Sequence, residues 1–189
     1  MFDVILWDVD NTLLDFPAAE RQSLMDAFAH FGLGPCPEDR VARYSKLNAS
    51  YWKRLEKGEI TKAELLPGRF REFFQQEGIV FDDPQAVSDF YQIRLGENAI
   101  PQDDSLTLVA SLKGRVKQYA VTNGTAAAHS QNKVHLFLAA QFNAFIDQAA
   151  SRIGLNTAQF YESQTFIGQR SLDAIQKTGA DNTATAVVD

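Results

Sequence analysis

The 189-residue sequence has little cysteine and no long apolar segment. Its single cysteine, Cys36, excludes an internal disulfide, and one cysteine with three scattered histidines cannot build a zinc site. No run approaches the roughly 18 uncharged apolar residues that a membrane span needs. Acidic Asp3, Asp8 and Asp10 stand where a signal peptide would be basic and then apolar. We therefore expect a soluble, cytoplasmic protein with no membrane partner.

The sequence also lacks an excess of basic residues. Its 18 Lys and Arg residues against 24 Asp and Glu residues give a net charge of -6, which is the wrong sign for a surface that binds nucleic acid by releasing counterions. A small anionic substrate would need local help from a metal ion or from backbone N–H groups. The length fits one domain, or one core that carries an insertion.

Three short apolar runs, each ending in a small polar or acidic residue, predict buried parallel strands. They are residues 4–7, followed by Asp8; residues 119–121, followed by Thr122; and residues 184–188, followed by Asp189. Helix-like segments precede the second and third runs. This pattern predicts a doubly wound α/β core, in which the active crevice lies at the carboxyl ends of the strands. Asp8, Thr122 and Asp189 would then face one crevice.

A long helical pattern separates the first two strands and indicates a helical insertion over residues 16–99. Breaks are predicted at residues 32–35, 57–58, 67–68 and 82–84, where glycine or proline occurs. The insertion is too large for a loop, so we expect a small helical cap beside an α/β core made of residues 1–15 and 100–189. A further helix is predicted over residues 104–113. No internal repeat is found.

Aromatic and basic side chains of the insertion are predicted to have structural roles. Helical spacing makes five aromatic residues part of the cap core, with stacking on a nucleobase as the alternative: Trp52, Phe70, Phe73, Phe74 and Tyr91. The basic pairs Lys53-Arg54 and Arg69-Arg71 are predicted to lie on solvated faces, and a cap arginine that reaches a substrate is the alternative.

Two carboxylates, Asp8 and Asp10, directly follow the first predicted strand in the motif Asp-Val-Asp-Asn-Thr-Leu. Asp10-Asn11 is turn-prone, so both carboxylates can reach one pocket. Such a pair can hold Mg²⁺ together with phosphate oxygens, and a carboxylate can attack phosphorus while its neighbour moves a proton. The alternative is that the aspartates only cap a turn.

The sequence has an apolar strand, the motif Asp-x-Asp-x-Thr-Leu, a helical insertion and a strand that ends in Thr-Asn-Gly. This combination resembles the haloacid dehalogenase (HAD) superfamily of phosphatases. The resemblance covers about residues 1–128 and implies Mg²⁺-dependent hydrolysis of a small phosphate monoester. It implies that Asp8 is the nucleophile and a metal ligand, and that Asp10 is the general acid/base and a metal ligand through its backbone carbonyl. It also implies that Thr122 and Asn123 bind the phosphoryl group.

The insertion resembles the cap of the pyrimidine 5'-nucleotidase branch, in the stretch Gly-Glu-Ile-Thr-Lys-Ala-Glu-Leu at residues 58–65 and Gly-Arg-Phe at 68–70. This second resemblance implies a nucleoside monophosphate as substrate.

The last third departs from the family pattern. No lysine occurs from residue 134 to 176, where the family has its lysine motif, and Lys133, Arg152, Arg170 and Lys177 are candidates to replace it. Val187-Val188-Asp189 resembles the opening of the acidic fourth motif, which implies that Asp189 is a further metal ligand. The alternative function is therefore a catalytically impaired relative that binds phosphate ligands or a protein partner. Dehalogenation is disfavoured because it needs neither a metal nor the acid at position 10.

Overall fold

A computed structural model of the chain describes residues 3–123, 141 and 144–147, the last four as backbone. Three parallel strands form one sheet in the order β1-β2-β3. They are β1 (Val4–Asp8), β2 (Lys117–Thr122) and β3 (Ala144–Asp147). Asp8 pairs with Val121 across β1 and β2, and Thr122 pairs with Asp147 across β2 and β3. All three strands therefore end at the same edge of the sheet.

Five helices lie between β1 and β2, and the last of them leads into β2. They are α1 (Phe16–Phe31), α2 (Glu38–Glu56), α3 (Lys62–Glu77), α4 (Pro84–Glu97) and α5 (Ser105–Leu112). The sequence marks their ends: the side chains of Asp15, Thr61 and Asp83 accept hydrogen bonds from backbone N–H groups in the first turns of α1, α3 and α4. Gly32 adopts the left-handed conformation that ends α1.

The apolar side chains form two clusters, one for the helices and one for the sheet. The helical cluster joins buried residues of α1 to α4, including Leu24, Phe28, Tyr44, Phe73 and Tyr91. The sheet cluster contains six buried residues of β2, α5 and the segments that connect the sheet to the helices: Val9, Leu13, Leu14, Ala99, Val109 and Ala120. A core and a cap would each need an apolar cluster of their own, and the two separate clusters fit that arrangement.

The two segments that connect the sheet to the helices run side by side. Leu14 forms an isolated bridge with Pro101, and the N–H of Gln102 donates to the carbonyl of Leu13 at 2.9 Å. Ser105 Oγ donates to the same carbonyl at 2.8 Å. These bonds fix the point where the four helices leave the sheet, and they place the helices next to the strand ends.

Most predicted elements agree with the structure, but the break at residues 67–68 was wrong. Helix α3 continues through Pro67 and Gly68. A Cβ atom at Gly68 would lie 3.2 Å from Tyr51 Cε1, so the glycine lets α3 pack closely against α2. Burial of this face outweighs the backbone hydrogen bond that Pro67 cannot donate.

The first strand is less buried than the sequence predicted. Its apolar run suggested burial on both faces, yet Val4 is 47% exposed and Leu6 is 62% exposed. Val4 and Leu6 are two residues apart in β1 and so lie on the same face of the strand, and it is this face that is exposed. The predicted strand at residues 184–188 lies outside the described residues, whereas β3 was not predicted. No helix in the described part of the chain is long and apolar enough to span a membrane.

Candidate active site

The strand ends bring together the side chains that the sequence singled out. Asp8 is the last residue of β1 and Thr122 the last of β2, and Asn123 follows directly. Parallel pairing of β1 with β2 places these positions at one edge, although more than a hundred residues separate Asp8 from Thr122. Asp10 lies in the turn that follows β1.

The turn after β1 separates buried from site-facing residues. The Val9 carbonyl accepts hydrogen bonds from the N–H groups of Leu13 at 2.9 Å and Leu14 at 3.0 Å, which closes the chain into a tight loop. The loop requires a left-handed residue, and Asn11 supplies it with φ of 64°. Val9, Leu13 and Leu14 are buried in the sheet cluster, so the two aspartates are left beside the strand ends.

The Asp8 carboxylate is oriented by its neighbour in the motif. Thr12 Oγ1 donates a hydrogen bond to Asp8 Oδ2 at 2.8 Å. Although Asp8 is exposed, the hydrogen bond from the Thr12 hydroxyl holds one of its two carboxylate oxygens in place. Because Oδ2 accepts this hydrogen bond, Oδ1 is the candidate oxygen to act on a substrate.

Asp10 has unusual electrostatics. Burial and the negative charge of Asp8 raise the pKa of Asp10 from 3.8 to about 6, and a hydrogen bond from the Thr122 side chain opposes this shift. A carboxyl group with this pKa exchanges its proton near neutral pH. That property suits a group that gives a proton in one step and takes one in the next.

A cavity of about 290 Å³ opens in front of the strand ends. Its lining on the sheet side consists of Asp8, Asp10, Asn11 and Asn123. The helices contribute Trp52 and Glu56 from α2, Arg69 from α3 and Gln92 from α4, together with apolar side chains of α1 and α4. The cavity therefore has two carboxylates and two amides on the sheet side, and a carboxylate, a cation, an aromatic ring and an amide on the helix side.

Arg69 is the residue at which the sequence interpretation was wrong. It was predicted to lie on a solvated face together with Arg71, but it is only 1% exposed, whereas Arg71 is exposed. Its Nη1 donates to Asn48 Oδ1 at 2.7 Å. The missed signal was periodicity, because Arg69 lies four residues from both Leu65 and Phe73 on the buried face of α3.

The predicted aromatic core is confirmed in four of its five members. Phe70, Phe73, Phe74 and Tyr91 are buried in the helical cluster. Trp52 is only partly buried and lines the cavity, which corresponds to the alternative interpretation for that residue. Lys53 and Arg54 are exposed, as predicted.

The donor set at the strand ends fits a hard divalent cation. Asp8 offers a carboxylate at the end of β1 and Asp10 offers its backbone carbonyl in the turn that follows, and both are hard oxygen donors. Mg²⁺ typically takes one or two protein carboxylates and fills its shell with water and phosphate oxygens. Within residues 3–123, 141 and 144–147 no group of three or more acidic, histidine or cysteine side chains could complete a shell from protein alone.

Several predicted site residues lie outside the described residues. They are the third predicted metal ligand, Asp189, and the candidates to replace the family lysine, Lys133, Arg152, Arg170 and Lys177. Of the other predicted site residues, Asp8, Asp10 and Asn123 line the cavity, and Thr122 contacts Asp10. Sequence reasoning missed Gln92 and Glu56 as lining residues, and a position at the site was only the alternative prediction for Arg69.

Comparison with known proteins decides the family. The chain is 30% identical over 170 residues to the pyrimidine 5'-nucleotidase PynA of Streptococcus pneumoniae, a match that covers 89% of this chain and 70% of that protein. The chain belongs to the haloacid dehalogenase superfamily. It is also 31% identical over 132 residues to the HAD-hydrolase YfnB of Bacillus subtilis, which covers 70% of this chain and 54% of YfnB. The HAD resemblance inferred from the motifs is thereby confirmed.

Solved HAD structures agree with the fold. The crystal structure of YfnB bound to magnesium superposes with a TM-score of 0.69 at 28% identity and covers 77% of this chain and 64% of that one. L-2-haloacid dehalogenase from Xanthobacter autotrophicus superposes with a TM-score of 0.59 at 20% identity, which shows a shared fold only. The chain spans about half the length of YfnB. No protein-family model matches the sequence.

Proposed function

We propose that this HAD protein is a Mg²⁺-dependent phosphatase that hydrolyses a small phosphate monoester, specifically a nucleoside monophosphate, through an aspartyl-phosphate. The observation that carries the proposal is the pair Asp8 and Asp10 at the end of β1. One carboxylate is exposed and oriented by Thr12, and the other is held by burial at a pKa of about 6 beside it. This division of properties is what a nucleophile and a general acid/base require.

In the proposed reaction, Asp8 Oδ1 attacks the phosphorus atom while the bond to the leaving alcohol breaks. Asp10, in its protonated form, gives its proton to the leaving oxygen. The resulting Asp10 carboxylate then takes a proton from a water molecule, whose oxygen attacks the phosphorus of the aspartyl-phosphate. The bond to Asp8 breaks, inorganic phosphate leaves, and both carboxyl groups return to their starting states.

Two further residues are proposed to position the phosphoryl group. Thr122 ends β2, and Asn123 lines the cavity beside it. The Asn123 amide can donate to the equatorial oxygens, where negative charge develops during transfer, and the Thr122 hydroxyl can do so when its single proton turns from Asp10 to the substrate. The hydrogen bond from Thr122 to Asp10 supports this placement, because it holds the Thr122 side chain on the site side of the sheet.

The proposed metal is Mg²⁺, held by the Asp8 carboxylate, by the Asp10 backbone carbonyl and, as the family resemblance implies, by Asp189. When bound, it supplies positive charge that offsets the negative charge of the phosphate and the carboxylates. The hard oxygen donors of Asp8 and Asp10 support this, as does the magnesium bound in the crystal structure of the HAD relative YfnB.

The proposed substrate class rests on the relatives and on the cavity. PynA of Streptococcus pneumoniae and YjjG of Escherichia coli, which is 25% identical over 126 residues, are both named pyrimidine 5'-nucleotidases. A volume of about 290 Å³ is at the small end of the range for ligand sites. Trp52 gives the cavity a ring on which a base can stack.

The domain division belongs to the same proposal. Residues 1–15 and 100–189 form the catalytic core, and residues 16–99 form a cap that supplies the far wall of the cavity. The separate clusters of sheet and helices support this division, as do the paired segments at Leu14 and Pro101.

The deciding experiment measures phosphate release from uridine monophosphate and from phenyl phosphate, with Mg²⁺ and with excess chelator. We expect release that requires both Mg²⁺ and Asp8. Binding of phosphate ligands without any release, by protein shown to be folded, would instead support a catalytically impaired relative.

A further inference from the structure

Arg69 in helix α3 has a guanidinium group that is only partly satisfied. The side chain is 1% exposed, and Nη1 donates to Asn48 Oδ1 at 2.7 Å. Within the described part of the chain, Nε and Nη2 have no hydrogen-bond partner. A buried cation normally has its donors paired, so two unmatched donors at one position need an explanation.

The surroundings hold the guanidinium in one orientation. Asn48 is itself fixed, because its Nδ2 donates to Glu20 Oε1 at 2.7 Å. The Arg69 Cζ atom lies 5.3 Å from the centre of the Phe70 ring and 5.0 Å from the centre of the Tyr91 ring. Asn48 therefore binds the Nη1 end of the guanidinium, and the rings of Phe70 and Tyr91 lie against the group. The edge formed by Nε and Nη2 is the part that remains for another acceptor.

This edge has the geometry of a receptor. Nε–H and Nη2–H are adjacent and nearly parallel, so they match two neighbouring acceptor atoms or a single carbonyl oxygen. Arg69 lines the same cavity as Asp8 and Asp10. An ester whose phosphate lies at the two aspartates would extend its leaving group toward the α3 side of the cavity.

We propose that Arg69 is a specificity-determining residue that binds the leaving group of the phosphate ester through acceptor atoms paired with Nε–H and Nη2–H. This proposal rests on the proposed phosphatase function, because the ligand has a leaving group only if it is a phosphate ester that the protein hydrolyses. The acceptors are carbonyl or ring-nitrogen atoms of a pyrimidine base, which Trp52 in the same cavity favours by stacking. A carboxylate offers the same acceptor chemistry and is distinguished by experiment.

Arg71 provides a matched control, because it is an arginine on the same helix that is exposed. We would compare Arg69→Lys with Arg71→Lys, since both keep the positive charge and remove the planar pair of donors. Circular dichroism and thermal melting would establish that each variant is folded.

The kinetic test uses two pairs of esters that differ in one group. Uridine monophosphate and ribose 5-phosphate differ in the base, whereas 3-phosphoglycerate and glycerol 3-phosphate differ in a carboxylate. We expect Arg69→Lys to lower the kcat/KM ratio within the first pair by about tenfold or more, and Arg71→Lys to leave it unchanged. A drop confined to the second pair would also support the role of Arg69, with a carboxylate as the acceptor. An equal loss on both members of both pairs, or no loss, would overturn the proposal.

A binding measurement on the unmutated protein covers the case in which Arg69→Lys does not fold. The Nε–H signal of Arg69 can be recognised by nuclear Overhauser contacts to the rings of Phe70 and Tyr91. We expect it to shift when uridine or glycerate is added and not when ribose is added. A signal unmoved by both ligands would refute the inference. Because this readout needs no turnover, it separates failure of the Arg69 role from failure of the phosphatase proposal.

Discussion

The side chain of Thr122 donates a hydrogen bond to the carboxyl group of Asp10, which joins the end of β2 to the turn after β1. The bond favours the ionised form of Asp10, while burial and the charge of Asp8 favour the protonated form more strongly. The balance leaves the pKa of Asp10 at about 6. Two strands distant in sequence thus set the proton affinity of one side chain, and that value has consequences for stability as well as for catalysis.

The first prediction concerns the stability of Asp10→Asn in the presence of chelator. In the folded protein Asp10 has a pKa of about 6, above its ordinary value of 3.8, so the native state binds more protons than the unfolded state between these values. Its contribution to stability is fully present below pH 3.8 and is lost as pH rises through about 6. We expect Asp10→Asn to become more stable relative to wild type by about 1–3 kcal/mol between pH 4 and pH 8.

Urea denaturation at both pH values measures this change. Asn keeps an oxygen that can accept from Thr122, so the variant preserves the hydrogen bond and removes only the titrating group. Asp89→Asn is the control, because Asp89 is exposed on α4 and its variant should track wild type at both pH values. A pH-independent difference between Asp10→Asn and wild type would contradict the raised pKa.

The convergence of Asp8 and Thr122 was predictable because it depends on a rule of topology. Apolar runs identify buried strands, and parallel strands in a doubly wound sheet carry their functional residues at their carboxyl ends. No knowledge of distances is needed for that inference. The left-handed turn at Asn11 is also local, and the turn-prone pair Asp10-Asn11 indicates it.

Arg69 was not predictable in the same way, because charge and periodicity give opposite indications at that position. An arginine is normally exposed, and only contacts from α2 and α4 make its burial acceptable. Asn48 and Tyr91 supply those contacts, and they lie 21 and 22 residues away in sequence, on other helices. Leu6 shows the opposite failure, since an apolar run predicts burial but not whether another element packs against that face of the strand.

The second prediction is that Asp8→Asn removes turnover and leaves the fold intact. The amide has the shape of the carboxylate and can still accept from Thr12, but its oxygen carries no charge with which to attack phosphorus. We expect phosphate release to fall by about a thousandfold or more. A colorimetric phosphate assay measures this, and circular dichroism checks the fold.

The matched control for Asp8→Asn is Asp3→Asn, just before β1, where the carboxylate is exposed and remote from the cavity lining. It should retain the wild-type rate. Retention of the wild-type rate by Asp8→Asn itself would show that Asp8 is a turn residue and not a nucleophile.

The third prediction concerns metal removal. Asp8 and a deprotonated Asp10 place two negative charges in front of an anionic ester, so turnover should require a cation there. We expect activity to disappear with excess chelator and to return when Mg²⁺ is added beyond the chelator concentration. Full turnover in chelator would refute the metal assignment, and a melting temperature unaffected by chelator would show that lost activity is not lost folding.

The fourth prediction tests whether the helical cluster holds the cap together. Leu24 in α1 is 0% exposed within that cluster, and Leu108 in α5 is 49% exposed, so the same truncation in a helix can be compared inside and outside a core. We expect Leu24→Ala to lower the free energy of unfolding by about 2–5 kcal/mol, because it removes buried apolar contacts and leaves a cavity.

Leu108→Ala should cost less than about 1 kcal/mol, because much of that side chain already contacts water. Urea denaturation measures both, and equal losses would mean that α1 does not pack as described. Because the helices supply the cavity wall opposite Asp8, Leu24→Ala should also raise KM more than it lowers kcat at temperatures where the variant is folded.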